Sequence, residues 1–365
     1  MNLLNFNDRF PDENSCRIYL RSKREAEGIT CKKCGCQKHY WIEAKSKWRC
    51  ASCLSTINLR SGTIMEKTKL PVKSWFMCIH LMTSTKKAFS ALEMQRQLGS
   101  KRYEPIWYMM QKIRLSMGKR DALYKLKGNI EADDAYFEIV DLPELDELGN
   151  KKPDGRVVKK DGKDDDEQKR GRGSKTKQQV LVMVESNPNT DPLTKHKKKR
   201  SMGFVKMIII DSLTNNSTNY EAGKADAALL TDAMPGFSKL KDVVAGDTAL
   251  VVPKKEAGKT LPWVHTVISN AKRLFLGIHH SIGREYLQNY LNEYCYKLNR
   301  RNFQSDLFDR MIVAGINDTW YVHIIRRIIA SSYGKLFTFI IFIVTVQEGG
   351  NMQLEKVYQR RFCQI

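Results

Sequence analysis

Apolar positions along the chain change their period several times, and each change predicts a different element. Phe6, Phe10 and Tyr19 predict a short helical lead over residues 1–30 that packs against the next segment. His39-Tyr40-Trp41-Ile42 and Lys47-Trp48-Arg49 are short β-prone runs, read as two strands of a ribbon. From Lys73 to Gly118 the period is helical. Trp75, Phe76, Ile79, Leu81 and Met82 make one helix. Ser90 caps a second over Ala91–Leu98, which Gly99 ends, and Arg102–Met117 is a third with Ile106, Met109, Met110 and Ile113 inward. Gly128–Val140 reads as a strand: β-branched and aromatic residues, no proline, and a glycine at its start. Gln179–Glu185 and Gly203–Asp211 are continuous apolar runs, as in strands covered on both faces. A helix over Asn219–Met234 and a strand over Leu240–Asp247 come next. Gly283–Arg301 is a long amphipathic helix with Tyr286, Leu287, Tyr290, Leu291, Tyr294 and Leu298 on its apolar face.

Polar stretches divide these elements. Asp141–Gln178 is dense in charge, with Lys151-Lys152, Lys159-Lys160, Asp164-Asp165-Asp166 and Arg170, and reads as an exposed, partly disordered insertion. Its aspartate triplet is a solvated run rather than a site. Asn187–Arg200 is a second polar loop. Three strands, a helix and a further strand give an α/β class with the element order of an RNase H-like domain, a mixed sheet with flanking helices. The expected organisation is a helical lead and zinc ribbon over 1–68, helix-turn-helix-like helices over 69–125, the RNase H-like domain over 126–315, and an atypical C-terminal tail over 316–365. In the tail, Ile324–Val346 is apolar but broken by Arg326, Arg327 and Lys335. Its longest clean run, Leu336–Val346, has eleven residues, too short to span a bilayer.

Charge narrows the partner. Lys and Arg number 62 against 40 Asp and Glu, a net +22, which calls for a polyanion, and nucleic acid fits best. A membrane-surface protein would want an amphipathic basic helix, and none is clear. No signal peptide opens the chain, since Met1–Arg17 carries Asp8, Asp12 and Glu13. A cytosolic, reducing setting is expected, so the nine cysteines point to metal ligation more than to disulfides.

Two sets of residues carry candidate chemistry. Cys31-Lys-Lys-Cys34 and Cys50-Ala-Ser-Cys53 are two knuckles with fifteen residues between them, the spacing of four thiolates around one structural zinc; Cys36 is an alternative ligand in the first knuckle. So small a segment needs metal to fold. The second set is acidic. Glu131 and Asp133 share one face of their strand and Asp134 takes the other. Alone, these acids fit either a solvated edge strand or a metal ligand at Asp133. In an RNase H-like order the first and later strands lie side by side, so Asp133 and Asp247 meet, and two carboxylates so close require cations between them. Lys86, Lys87, Lys101 and Arg102 are candidates for phosphate contact, whether the three helices form a helix-turn-helix or a plain linker domain. Arg300 and Arg301 serve either as a basic helix end or as DNA-backbone contacts.

With these motifs in place, the chain resembles the ISXO-like branch of bacterial insertion-sequence transposases, in the DDE superfamily. The resemblance rests on the four cysteines, Glu131-Ala-Asp133-Asp134-Ala-Tyr136, Gly246-Asp247, Trp263-Val-His265-Thr-Val-Ile-Ser-Asn270-Ala-Lys272, and Tyr290 to Arg301. It covers residues 25–315. Family members usually have Asp-Glu where this chain has Asp133-Asp134. The resemblance implies two Mg²⁺ (or Mn²⁺) ions held by Asp133, Asp247 and a third ligand, which is Asn270 in one branch, with Lys272 as the accompanying cation. Glu285, 38 residues after Asp247, is the rival third ligand, and His265 could position water or phosphate. It further implies double-stranded DNA as partner, both terminal inverted repeats and target, a homo-oligomer on that DNA, no membrane, and a cytoplasmic, nucleoid-associated location. A catalytically dead DNA-binding regulator is the alternative.

Overall fold

The computed structural model describes residues 1–140, 177–189, 200–210, 227–232, 250–252, 261–279, 282–303 and 306–318. The lead is two helices, α1 (Leu3–Arg9) and α2 (Glu13–Glu27). Asp12 caps α2 by accepting the Ser15 N–H, and the Ser15 hydroxyl accepts from the Asp12 backbone in return. A three-stranded antiparallel ribbon comes next: β1 (His39–Ile42), β2 (Lys47–Cys50) and β3 (Thr56–Asn58), with Trp41 opposite Trp48. Then come α3 (Val72–Ser84), α4 (Ala91–Gln97) and α5 (Glu104–Ala122). Ser90 caps α4 as expected, and Gly99 turns the chain at φ +60°.

The main sheet has six strands: β4 (Gly128–Val140), β5 (Lys177–Pro188), β6 (Arg200–Ile209), β7 (Ala227–Asp232), β8 (Leu250–Val252) and β9 (Ile282–Gly283). Their order is β6-β5-β4-β7-β8. The first three are antiparallel, β7 and β8 run parallel to β4, and β9 pairs with the far end of β4. Three helices complete the described chain: α6 (Pro262–His279), α7 (Leu287–Asn299) and α8 (Leu307–Ile316).

One expected element is of the other kind. The helix over Asn219–Met234 is replaced across 227–232 by β7. Ala227-Ala-Leu-Leu-Thr231 is as compatible with a buried strand as with a helix turn. What decides is the open edge of β4, whose backbone groups need partners, and parallel pairing from Gly128↔Ala227 to Ala132↔Thr231 supplies them. The expected strand over Leu240–Asp247, most of the charged insertion and the tail lie outside the described residues.

Alternation along β4 sorts its side chains into two cores. Ala135, Phe137 and Ile139 join Val180, Val182 and Val205 under Val264, Val267, Ala271 and Phe275 of α6 and Leu287 and Leu291 of α7. Ile130 and Ala132 face the opposite way, with Leu126, Leu181, Met183 and Ile210. A third core gathers α1–α3, the ribbon, α5 and, from the far end of the chain, α8, whose Phe308 stacks among Phe6, Phe10 and Phe76 at centroid distances of 5.5–5.8 Å. So α8 packs with the N-terminal helices.

Helix α5 ties the two halves together by lying against α7. A Cβ on Gly118 would come 2.2 Å from the Asn292 amide, so glycine permits the approach. A buried Arg114–Glu293 ion pair spans the contact at 2.7 Å, with the guanidinium 4.1 Å from the Tyr290 ring centre.

Candidate functional site

The ribbon brings the four paired cysteines together. Both knuckles fold alike: Gly35 N–H donates to the Cys31 carbonyl and Leu54 N–H to the Cys50 carbonyl, with φ +73° at Gly35 and +56° at Leu54. The four sulfurs of Cys31, Cys34, Cys50 and Cys53 all lie within 4.8 Å of one another, with Cys31–Cys53 at 3.6 Å and Cys34–Cys50 at 3.5 Å. A zinc tetrahedron with bonds of about 2.3 Å has sulfur–sulfur edges of about 3.8 Å, so the set fits that ion. The Ser55 hydroxyl sits 3.1 Å from both Cys31 and Cys53, and its hydrogen bond, helped by backbone N–H groups, holds the Cys31 thiol down to about 5. Cys36 stands outside the cluster, donating to the Lys38 carbonyl, which removes the ambiguity in the first knuckle.

The acidic site is built on β4. Asp133 is largely buried, its side chain 14% exposed. Its Oδ1 accepts the Asp134 N–H at 2.8 Å, and its Oδ2 lies 3.4 Å from Nδ1 of His265 in the first turn of α6. Asp134, on the other face, accepts from Gln179 Nε2 at 2.6 Å. Glu131 is fully buried, and its Oε2 accepts the Trp263 and Val264 N–H groups at 2.8 and 3.0 Å. It thus holds the positive end of α6 over the strand. The sequence places Glu131 on this face without giving it that task. A carboxylate two residues before Asp133 on the same face is the available signal.

Strand β7 stops beside this point. Thr231 pairs with Ala132, so Asp232 occupies the register position next to Asp133. Sequence reasoning passes over Asp232 because a helical reading of the stretch hides it. An acid closing an apolar run is the clue. Asp247, the expected partner, lies outside the described residues.

The remaining expected site residues scatter. Lys272 sits seven residues after His265, about two turns along α6, with Nζ 6.0 Å from the Phe137 ring centre. It is therefore on the Asp133 side. Asn270 is five residues from His265, about 140° around the helix. It is exposed and lines a separate basic cleft of about 1390 Å³ with Lys86, Lys87, Arg273, Lys297 and Arg301. Glu285 is exposed on a 3-10 turn after β9, which pairs with Ile139 and Val140. That is seven residues from Asp133, about 23 Å along a strand. The strand register therefore sets Glu285 far from Asp133, while Asn270 lines the basic cleft.

Arg300 is corrected as a DNA contact. It is buried, pairs with Asp121, and lies 3.9 Å from the Tyr296 ring centre, because α7 ends inside the core. Arg301 donates to the Leu298 carbonyl at 3.0 Å and to the Met202 and Gly203 carbonyls, closing the helix end. Lys101 and Arg102 are exposed at the turn before α5, Arg102 within 3.9 Å of Glu104. One face of α5 behind them is turned inward, with Ile106, Met109, Met110, Ile113, Arg114 and Met117 buried.

Among the described residues no helix is long and apolar enough to cross a membrane. Two family models match the chain: the ISXO2-like transposase domain over residues 125–299 and the transposase zinc-ribbon domain over residues 11–56. No curated protein matches it. A solved structure titled "Crystal structure of the Mos1 Strand Transfer Complex" overlaps 70% of this chain and 82% of that chain at 10% identity and a TM-score of 0.22, too low for anything to be built on it.

Proposed function

The chain belongs to the insertion-sequence transposases that join a zinc ribbon to an ISXO2-like DDE domain, and from that premise we propose a metal-dependent mechanism in which Asp133 and Asp232 hold the divalent cations. The sheet order, three antiparallel strands and then two parallel ones, supports an RNase H-like assignment. The observation that carries the reading is the pairing of β4 with β7, which ends with Thr231 opposite Ala132. Two carboxylates at the next position repel unless cations lie between them. The donor set suits Mg²⁺ or Mn²⁺, which when bound lower the pKa of a water and neutralise phosphate charge.

The chain's own residues orient the reaction. Asp134 N–H holds one oxygen of Asp133, and the other lies 3.4 Å from Nδ1 of His265. Lys272, on the same side, balances phosphate charge. In the first step a water oxygen bonds to phosphorus while the bond to the 3′-oxygen breaks; the water loses a proton and the 3′-oxygen gains one. The freed 3′-hydroxyl then attacks a target phosphodiester, releasing the target's 3′-oxygen. No covalent protein intermediate is required.

The partner is double-stranded DNA, the element's ends and its target, with the zinc-loaded ribbon and the exposed turn at Lys101 and Arg102 as contacts. The α4–turn–α5 segment acts as the helix-turn-helix through its exposed N-terminal end. A cytoplasmic location and a homo-oligomer on DNA complete the proposal. The test is cleavage and strand transfer on DNA carrying matched inverted repeats. Asp133→Asn and Asp232→Asn are expected to bind the ends without cutting them, and Asp247→Asn to keep activity. Parental cleavage by Asp133→Asn overturns the mechanism. A dead Asp247→Asn beside an active Asp232→Asn moves the second ligand back to Asp247.

A further inference from the structure

We propose that the basic cleft between the α3–α4 loop, α6 and α7 holds an unpaired DNA strand beside the cut, with phosphates on its cations and bases against its tyrosines; this rests on the DNA-processing reading above. The cleft has a volume of about 1390 Å³. Small-molecule sites run to about 300–1,000 Å³, so this volume suits several linked nucleotides better than one small ligand.

Charge sets the kind of occupant. Five cations line the cleft, Lys86, Lys87, Arg273, Lys297 and Arg301, against one acid, Glu293. That acid is already matched by buried Arg114 at 2.7 Å, with Lys297 a second neighbour at 3.8 Å. The lining offers no second carboxylate, so the excess of positive charge calls for an anion. Lys86, Lys87 and Arg273 are exposed, within reach of phosphates.

The wall that carries the two lysines is held in place. Lys297 Nζ on α7 donates to the Lys87 carbonyl at 2.8 Å, and the Thr85 hydroxyl donates to the same carbonyl at 2.8 Å. Arg114 donates to the Phe89 carbonyl at 3.5 Å, further along the loop. The loop and α7 thus come within the reach of one lysine side chain, a gap that a single strand can enter and a duplex cannot.

The aromatic lining fits the same occupant. Tyr290 and Tyr294 line the cleft one turn apart on α7, and His279 lies 4.6 Å from the Tyr290 ring. The Tyr294 hydroxyl donates to the Val267 carbonyl at 3.1 Å, which holds its ring. Cations that follow the backbone and rings that stack on bases are the means by which proteins hold unpaired nucleic acid. A duplex keeps its bases inside and makes no use of such rings.

Position along α6 says which strand. Arg273 lies eight residues past His265, about 12 Å along the helix axis. His265 is next to Asp133. A strand leaving Asp133 therefore needs only a few nucleotides to reach the cleft.

The experiment uses the full chain and an unpaired oligonucleotide of about 12 nucleotides carrying bromodeoxyuridine. Photo-crosslinks should fall on the segment that holds Tyr290 and Tyr294. An abasic strand with the same phosphates should bind about tenfold more weakly or worse, because stacking is lost. Replacing Lys86, Lys87 and Arg273 together by serine should lower the single-strand salt slope by about two, at about 0.7 for each phosphate contact. Crosslinks found only elsewhere, or equal binding of the abasic strand, overturn the proposal. A slope that falls for blunt duplex and not for the single strand also overturns it and makes the cleft a duplex contact. An unchanged slope with altered sedimentation of the free triple variant overturns it in favour of a contact between copies. If Asp133→Asn cuts DNA while the single-strand results hold, the catalytic reading falls and the cleft assignment stands. If Asp133→Asn is dead and the crosslinks lie elsewhere, the cleft assignment falls and the catalytic reading stands.

Discussion

At the scale of single residues, a buried glutamate and a half-buried histidine do more than fill space. Glu131 joins strand and helix: one oxygen accepts two N–H groups of α6, and the other is buried with no hydrogen-bond partner among the described residues. A carboxylate accepting hydrogen bonds at a helix start gains from both the bonds and the dipole. Glu131→Gln keeps an acceptor and loses the charge, so it should lower stability by about 1–2 kcal/mol in urea unfolding. No loss would mean that α6 is held by its apolar face alone. His279 is the second case. Burial, with a contribution from the Arg114 charge, pushes its pKa down from 6.5 to about 4, and its ring lies 4.6 Å from that of Tyr290. The unfolded chain takes up this proton first, so the stability from a neutral His279 is complete above pH 6.5 and is lost as pH falls towards 4. His279→Phe should flatten that part of the stability profile, measured as urea midpoints at pH 7 and pH 5. An unchanged slope would assign the acid sensitivity to other groups.

At the scale of elements, the ribbon shows how a small motif is held. Its strands bury too little surface to persist without an ion, and its two knuckles are the same turn built twice. The first uses Gly35 at positive φ, while the second places Leu54 there, a conformation costing a side-chain residue about 1–2 kcal/mol. Leu54→Gly should therefore raise the ribbon's resistance to chelator, and Cys50→Ser should lose the zinc while the main sheet stays folded. Metal content and far-ultraviolet circular dichroism check both. Full zinc retention by Cys50→Ser would overturn the ligand set. Between β4 and α6 the logic differs. Glu131, Asp133 and Phe137 step along one strand face beneath Trp263–Val264, His265 and Phe275, so strand and helix run side by side in the same direction.

At the scale of the whole molecule, the excess of cations sets how DNA is met. With a net charge of +22, affinity for DNA should fall steeply with salt as counterions are released. Each lysine or arginine on a phosphate adds about one to the slope of log affinity against log salt. Replacing Lys101 and Arg102 together by alanine should lower that slope by about two. If the slope is unchanged, the turn before α5 is not on the DNA. Arg300 should contribute nothing to the slope, because its charge is spent on buried Asp121.

What the sequence determined by itself is whatever depends on short-range pattern. The C-x-x-C pairs named the four cysteines that cluster, because ligand spacing within a knuckle is a local property. Ser90 and Gly99 set the ends of α4, and alternation put Glu131 and Asp133 on one face of β4. A later strand ending on an acid was expected beside Asp133, and the stretch so read, Leu240–Asp247, lies outside the described residues. The tertiary structure decided which segment pairs with the open edge of β4. Ala227–Asp232 has no period that separates helix from strand, and pairing with the open edge of β4 made it β7, with Asp232 in register. On α6 the set of residues that faces β4 depends on the rotation of the helix about its axis. That rotation is set by Glu131 at its start and by Val264, Val267, Ala271 and Phe275 packing into the core, contacts between residues more than a hundred positions apart that no local pattern records.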